Sequence, residues 1–182
     1  MIKKHIYILF FLVIGISLNG LSQTSLNIIS KKINFGYKAS NNRVISNIII
    51  HSVYNNLGGE KFDIDLIIKQ FSKYKVSSHY VINRDGQIFL LVDESNIAFH
   101  AGKSILPNGK SNINNTSIGI ELINSVDEVP TENQINSLIL LVKDIKKRHN
   151  IIYVLRHSDI APDRKTDPWN FDWDFFLKQL EI

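Results

Sequence analysis

The chain contains no cysteine. That absence excludes disulfides and a lipid anchor on an N-terminal Cys, and it limits metal ligands to histidine and carboxylate. An exported protein of this composition must take its stability from an apolar core, with or without help from a metal. Net charge is also scarce. The formal value of +4 falls to about +2 once Lys3 and Lys4 are set aside, a balance that suits contact with anionic polymers and does not indicate nucleic acid. Long hydrophobic runs are missing with one exception: Lys3, Lys4 and His5 precede an apolar run from Ile6 to Leu18, followed by Asn19-Gly20-Leu21-Ser22-Gln23. The run is shorter than the roughly 20 apolar residues of a spanning helix, so residues 1–22 read as a secretory signal peptide, with an uncleaved anchor as the competing reading. There is no internal repeat and no low-complexity linker. The rest of the chain is about the size of one domain.

The pattern of apolar residues predicts an α/β fold: a single domain with a mixed central β-sheet flanked by helices. Residues 23–44 are polar and irregular and read as an N-terminal extension, leaving 45–182 for the domain. Ile45 to Ile50 is a β-branched run that predicts a buried strand ending at His51. Ile64, Ile67, Ile68 and Phe71 mark a helix over 63–74. Apolar runs at 78–83 and 87–92 flank Arg84-Asp85-Gly86, a hairpin turn signal. Residues 117–123 predict a further strand, and 131–149 the clearest helix, with Thr131 and Gln134 in capping-box register. A strand over 151–155 would deliver His157, and 171–180 a closing helix.

Chemistry concentrates in Arg156-His157-Ser158-Asp159-Ile160-Ala161-Pro162-Asp163-Arg164-Lys165-Thr166-Asp167-Pro168-Trp169, a stretch whose Pro and Asp content argues against a helix. His157 and Asp167 are good zinc ligands, and on extended backbone Lys165 would point where Asp167 points. Of the six histidines, His5 lies in the leader and His149 at a helix C-terminus favoured by the dipole. His79 reads as a hydrogen-bonded core residue. His51 follows a buried strand, where ligand and structural readings both stand. Two strand-ending histidines plus one Asp would leave a fourth position open, the pattern of catalytic zinc, against an ordinary charged turn. Glu121 interrupts an apolar strand, so it either faces solvent or is a buried general base. His100-Ala101-Gly102 could be a loop that exposes an imidazole to a ligand.

Together these segments resemble the zinc-dependent N-acetylmuramoyl-L-alanine amidases of the type 2 amidase family, which share a fold with peptidoglycan recognition proteins. The matching pieces stand in the family's order: Ile-Ile-Ile-His51, Ser-Ser-His79-Tyr followed by Asn-Arg-Asp-Gly, His100-Ala-Gly, Asn114-Asn-Thr-Ser-Ile-Gly-Ile-Glu121, and the segment from His157 to Pro168. The resemblance implies one Zn2+ held by His51, His157 and Asp167, and hydrolysis of the amide between N-acetylmuramic acid and L-alanine. It implies Glu121 as the general base and Lys165 as the cation that stabilises the oxyanion. His100 and Asn114 would line the substrate groove, and Lys75 would lie near the carboxylates of the stem peptide. Ser78 stands where one branch of the family has a Tyr before the strand histidine, which places the chain with the branch whose base is the Glu. Peptidoglycan or muropeptides would be the partners, without nucleic acid and without a stable membrane anchor after signal cleavage. The export signal implies a periplasmic or secreted location. The alternative is a catalytically inactive peptidoglycan-binding module, although such modules usually lack a zinc ligand.

Overall fold

Short β-branched runs separated by helical segments assemble into a mixed sheet in the computed structural model, which describes residues 26–181. The expected signal peptide lies outside those residues. The sheet has six strands: β1 (Ile28–Ser30), β3 (Asn47–Val53), β4 (Tyr80–Ile82), β5 (Ile88–Leu90), β7 (Ser117–Ile123) and β8 (Tyr153–Arg156). Their order is β1-β5-β4-β7-β3-β8, and every pairing is parallel except β4 with β5, the expected hairpin. A small antiparallel ladder joins β2 (Tyr37–Lys38) to β6 (Ile97–Ala98). Among the described residues, no helix is long and apolar enough to cross a membrane.

The two central strands, β3 and β7, are buried along their whole length, as expected where both faces of a parallel sheet are covered. One face carries Ile48, Ile50, Ile118, Ile120 and Leu122. It packs under helices α2 (Glu132–Arg148) and α4 (Trp173–Leu180) through Leu138, Leu141, Val142, Ile145 and Phe176. On the other face Val53, Val81 and Ile123 pack against α1 (Ile64–Tyr74), while Ile49 joins Ala101, Leu106, Ile113 and Ile160 under the loops. Between those two apolar groups, the alternation of side chains presents His51 and Glu121 on this second face.

Helices α1 and α2 begin where the sequence places them, because their caps are local. The Asp63 carboxylate accepts the Leu66 N–H at 2.8 Å, and Thr131 and Gln134 form the full capping box. Gln134 is also fully buried. Its amide nitrogen donates to the carbonyls of Ile82 and Ile123, tying α2 to two strands, and a reading by apolar period alone leaves it out of the core.

Three expectations change. The run 23–44 is not irregular throughout: β1 pairs with β5, and Arg43 reaches inward to Ser117 and Asn96, so the sheet starts ahead of residue 45. His51 does not end its strand but is the fifth of seven residues, because β7 continues beside it to Ile123. His157 opens a one-turn helix, α3 (His157–Ile160), in the stretch expected to be non-helical. Asp159 makes that turn possible by accepting the Arg156 N–H at 2.9 Å, and the prolines come only after it.

Away from the site, Glu94 staples the end of α2 to the loop before β6. Burial alone would raise its pKa, but hydrogen bonds from Arg148, His149 and Tyr80 outweigh that and hold it at about 2. Because the folded pKa is depressed, this stability is present above the unfolded value near 4.5 and is lost as pH falls toward 2. Arg148 is 41% exposed, which screens the pair. Glu94→Gln should therefore cost about 1–2 kcal/mol at neutral pH, and less at pH 3, in thermal melts.

Candidate functional site

Parallel pairing sets His51 on β3 directly beside Glu121 on β7. His157 arrives from the neighbouring strand β8, at the first residue of α3, and Asp167 returns from the loop after that helix. The loop is fixed by the Ser158 N–H, which donates to the Asp167 carbonyl at 2.9 Å. His51, His157 and Asp167 thereby converge, with one donor atom from each lying within 4.8 Å of the others, and all three are buried. His51 Nδ1 is 2.9 Å from His157 Nδ1, and Asp167 Oδ2 lies 3.1 Å from His157 Nδ1 and 3.6 Å from His51 Nδ1.

The outer contacts show which atoms are spare. His157 Nε2 meets the Ala101 carbonyl at 3.3 Å, and a carbonyl only accepts. In its neutral form His157 therefore carries its proton on Nε2 and turns the lone pair of Nδ1 toward Asp167. Burial, and then the neighbouring His157, push the His51 pKa down to about 4, so its ring is neutral at pH 7. Burial works against ionisation of Asp167, but hydrogen bonds from His157 and His51, donated when those rings carry a proton on Nδ1, outweigh it and hold the carboxyl well below its ordinary range. A carboxylate and two imidazoles whose Nδ1 atoms meet in a buried space form a donor set that fits a divalent cation of zinc's kind.

Glu121 is 8% exposed, which removes the reading of a solvent-facing residue. Its Oε2 is buried without a hydrogen-bond partner among the described residues. Burial, with Asp167 adding to it and Lys165 opposing it, raises its pKa well above the carboxylate range. A buried acceptor left open costs about 1–3 kcal/mol, more if charged, so this position works against stability. Glu121 and Lys165 line the same cavity as the three converging residues, a hollow of about 220 Å³. Tyr74, Val76 and Phe99, all exposed at their outer edges, and Trp169 form apolar parts of its wall.

The three residues expected to meet substrate stand differently. His100 lines the cavity, as expected, but it is largely buried at 9% exposed. Its ring lies behind His51, with Nδ1 3.0 Å from His51 Nε2. Asn114 does not line the cavity. Its Oδ1 accepts the N–H groups of His100 and Ala101 at 3.2 and 2.9 Å, so it shapes the His100 loop. Lys75 is exposed in the left-handed conformation that caps α1, and its neighbours Tyr74 and Val76 line the cavity where it does not. Two further residues of the site carry no strong signal in the sequence. Ser52 lines the cavity with a buried hydroxyl that has no partner among the described residues, and Gly119 leaves room for the His100 ring, since a Cβ there would lie 2.4 Å from His100 Cγ. The small residue in the strand Ser-Ile-Gly-Ile-Glu is the one sequence signal for that close approach.

The family model described as N-acetylmuramoyl-L-alanine amidase matches residues 41–170. N-acetylmuramoyl-L-alanine amidase AmiD of Escherichia coli is 38% identical over 136 residues, covering 64% of this chain and 49% of that protein. 1,6-Anhydro-N-acetylmuramyl-L-alanine amidase AmpD of Haemophilus influenzae is 37% identical over 111 residues, covering 59% of this chain and 60% of that protein. The match thus spans about half to three fifths of these relatives. Among solved structures, a selenomethionine derivative of AmpD superposes with a TM-score of 0.69 at 27% identity, covering 83% of this chain and 94% of that one. AmiD of E. coli in complex with anhydro-N-acetylmuramic acid-L-Ala-D-gamma-Glu-L-Lys gives a TM-score of 0.64 at 34% identity, over 74% and 57%.

Proposed function

The chain belongs to the N-acetylmuramoyl-L-alanine amidase family of type 2 amidases, and on that premise we propose that it is a zinc hydrolase cutting the amide between N-acetylmuramic acid and L-alanine in peptidoglycan or its fragments. The observation that carries this reading is the buried meeting of His51, His157 and Asp167 in one cavity with an unpartnered Glu121 and the ammonium-bearing Lys165.

His51, His157 and Asp167 would hold the metal. When bound, zinc supplies a Lewis acid for the scissile carbonyl and a lowered pKa for the attacking water. Glu121, whose Oε2 has no donor among the described residues, takes the proton of the attacking water and later returns it to the leaving amine nitrogen. Its raised pKa suits both halves of that task, since a carboxylate that binds a proton more tightly than usual accepts one more readily. Lys165 offers its positive charge to the oxygen that becomes negative as water adds, a contribution worth on the order of a hundredfold or more in rate. Ser52 provides a free hydroxyl at the same wall. The apolar surface of Tyr74, Phe99 and Trp169 gives the sugar and lactyl group a dry seat beside the reacting bond.

The active reading is preferred over a binding module because no converging ligand is missing and because Glu121 is costly to keep buried without a chemical use. The apolar leader supports export, and with it a periplasmic or secreted substrate. The purified chain should bind one zinc by elemental analysis and should release stem peptides with a free alanine amino terminus from muropeptides. Chelator should stop the release and zinc should restore it. Release that persists with the metal stripped would refute the proposal.

A further inference from the structure

The most unusual feature beside the site is a line of buried hydrogen bonds leading away from it. Ser117 Oγ lies 2.7 Å from the Ile113 carbonyl, 3.1 Å from His100 Nε2, and His100 Nδ1 lies 3.0 Å from His51 Nε2. Ser117 and His100 are buried, and the His51 and His100 rings meet edge to face at 5.1 Å.

The protons along this line can be placed from donor chemistry alone. A hydroxyl has one hydrogen, and the Ile113 carbonyl can only accept, so Ser117 spends its hydrogen there. Toward His100 it can then only accept, which puts the His100 proton on Nε2. A neutral His100 with its proton on Nε2 has a bare Nδ1, so the bond to His51 must be donated by His51 Nε2–H. His51 in turn is left with its lone pair on Nδ1, the atom that faces His157 and Asp167. The opposite order would leave Ser117 Oγ and His100 Nε2 with no hydrogen between them at 3.1 Å.

We propose that Ser117 and His100 are positioning residues that fix the tautomer and orientation of His51, so that its Nδ1 lone pair is presented to the metal. Ligating histidines generally donate their other ring N–H to a carboxylate, a carbonyl or water. Here a second neutral imidazole takes that place. Its acceptor character is not intrinsic, as a carboxylate's would be, and depends on a serine one contact further out. The fold makes room for the arrangement at Gly119, where a Cβ would displace the His100 ring, and Asn114 holds the backbone that carries it. His100 still lines the site cavity, as expected, and the positioning role adds to that place.

This inference rests on the metal reading of the cluster, and its test separates the two. Zinc affinity of the full chain and its variants would be measured by competition with a chromophoric chelator. Wild type should bind zinc. His100→Leu should bind it about 10–100-fold more weakly. His100→Asn, whose Oδ1 stands near the place of the imidazole Nδ1 and can accept from His51, should recover most of that loss. Ser117→Ala should fall between them. If wild type binds no zinc, the metal reading fails and the relay with it. If wild type binds zinc and His100→Leu binds it equally well, or His100→Asn is as weak as His100→Leu, the relay alone fails. Should His100→Leu not fold, nitrogen NMR of the wild-type chain still decides. A proton on His51 Nε2 with scalar coupling across the hydrogen bond to His100 Nδ1 supports the relay. A proton on His100 Nδ1 overturns it.

Discussion

Glu121→Gln should give a protein that folds, binds zinc as wild type does, and turns over muropeptide ~10²–10⁴-fold more slowly, the range typical of a lost general base. The amide keeps the shape of the carboxylate but cannot take a proton from water. Stability should move the other way. Burial raises the pKa of Glu121 well above its unfolded value of 4.5. Between those values the folded state binds more protons than the unfolded one, so the metal-free wild type loses stability as pH rises through that window. Glu121→Gln has no such titration. At neutral pH, with chelator present, it should melt at the same temperature as wild type or higher. An inactive variant that is no less stable would mark Glu121 as a residue retained for chemistry. A variant that is both active and less stable would show that the carboxylate serves packing instead.

Asp167→Ala should have the second large effect. It removes the one carboxylate of the cluster, leaving two imidazoles. Apparent binding energies of about 10–16 kcal/mol for zinc sites of four ligands imply roughly 2.5–4 kcal/mol per ligand, or a loss of ~10²–10³-fold in affinity. Activity at limiting zinc should fall with it. Asp167 also accepts the Ser52 N–H at 3.4 Å, so a small part of the cost falls on the fold itself. The signature is a difference between melts: chelator should lower the Tm of zinc-loaded wild type, by the binding free energy that loading contributes, and should hardly move that of Asp167→Ala. Equal zinc affinity in the two proteins would remove Asp167 from the ligand set.

Much of the architecture is legible in the sequence because its signals are local. The strand 117–123, the helix capped by Thr131 and Gln134, and the hairpin around Asp85-Gly86 are each written in a few adjacent residues. Most residues of the site are legible for another reason: His51, His157 and Glu121 interrupt or end apolar runs, and such interruptions are expensive unless used, while Asp167 is legible only from its charged segment. The features that escape a sequence reading depend on partners far away in the chain. The edge strand β1 escapes because it is only three residues long, set in a polar stretch, and its partner β5 lies sixty residues on. His51 looks like a strand end because the apolar run stops there, whereas the parallel neighbour β7 carries the strand to Val53. Asp159 supplies the local cap for α3, but its neighbours Pro162 and Pro168 weigh against any helix in the stretch. The place of His100 cannot be read at all. Whether an imidazole after Phe99 faces solvent or the back of another histidine is decided by Gly119 and Ser117, which only the fold brings beside it.

The most direct measurement is digestion of a purified muropeptide by the zinc-loaded chain in ¹⁸O-labelled water, with the products read by mass spectrometry. The expected result is one heavy oxygen in the new carboxylate of the lactyl group on the sugar, and an unlabelled peptide that begins with a free alanine. Label in a peptide carboxylate, or no cleavage by a protein that holds its zinc, would contradict the proposed reaction.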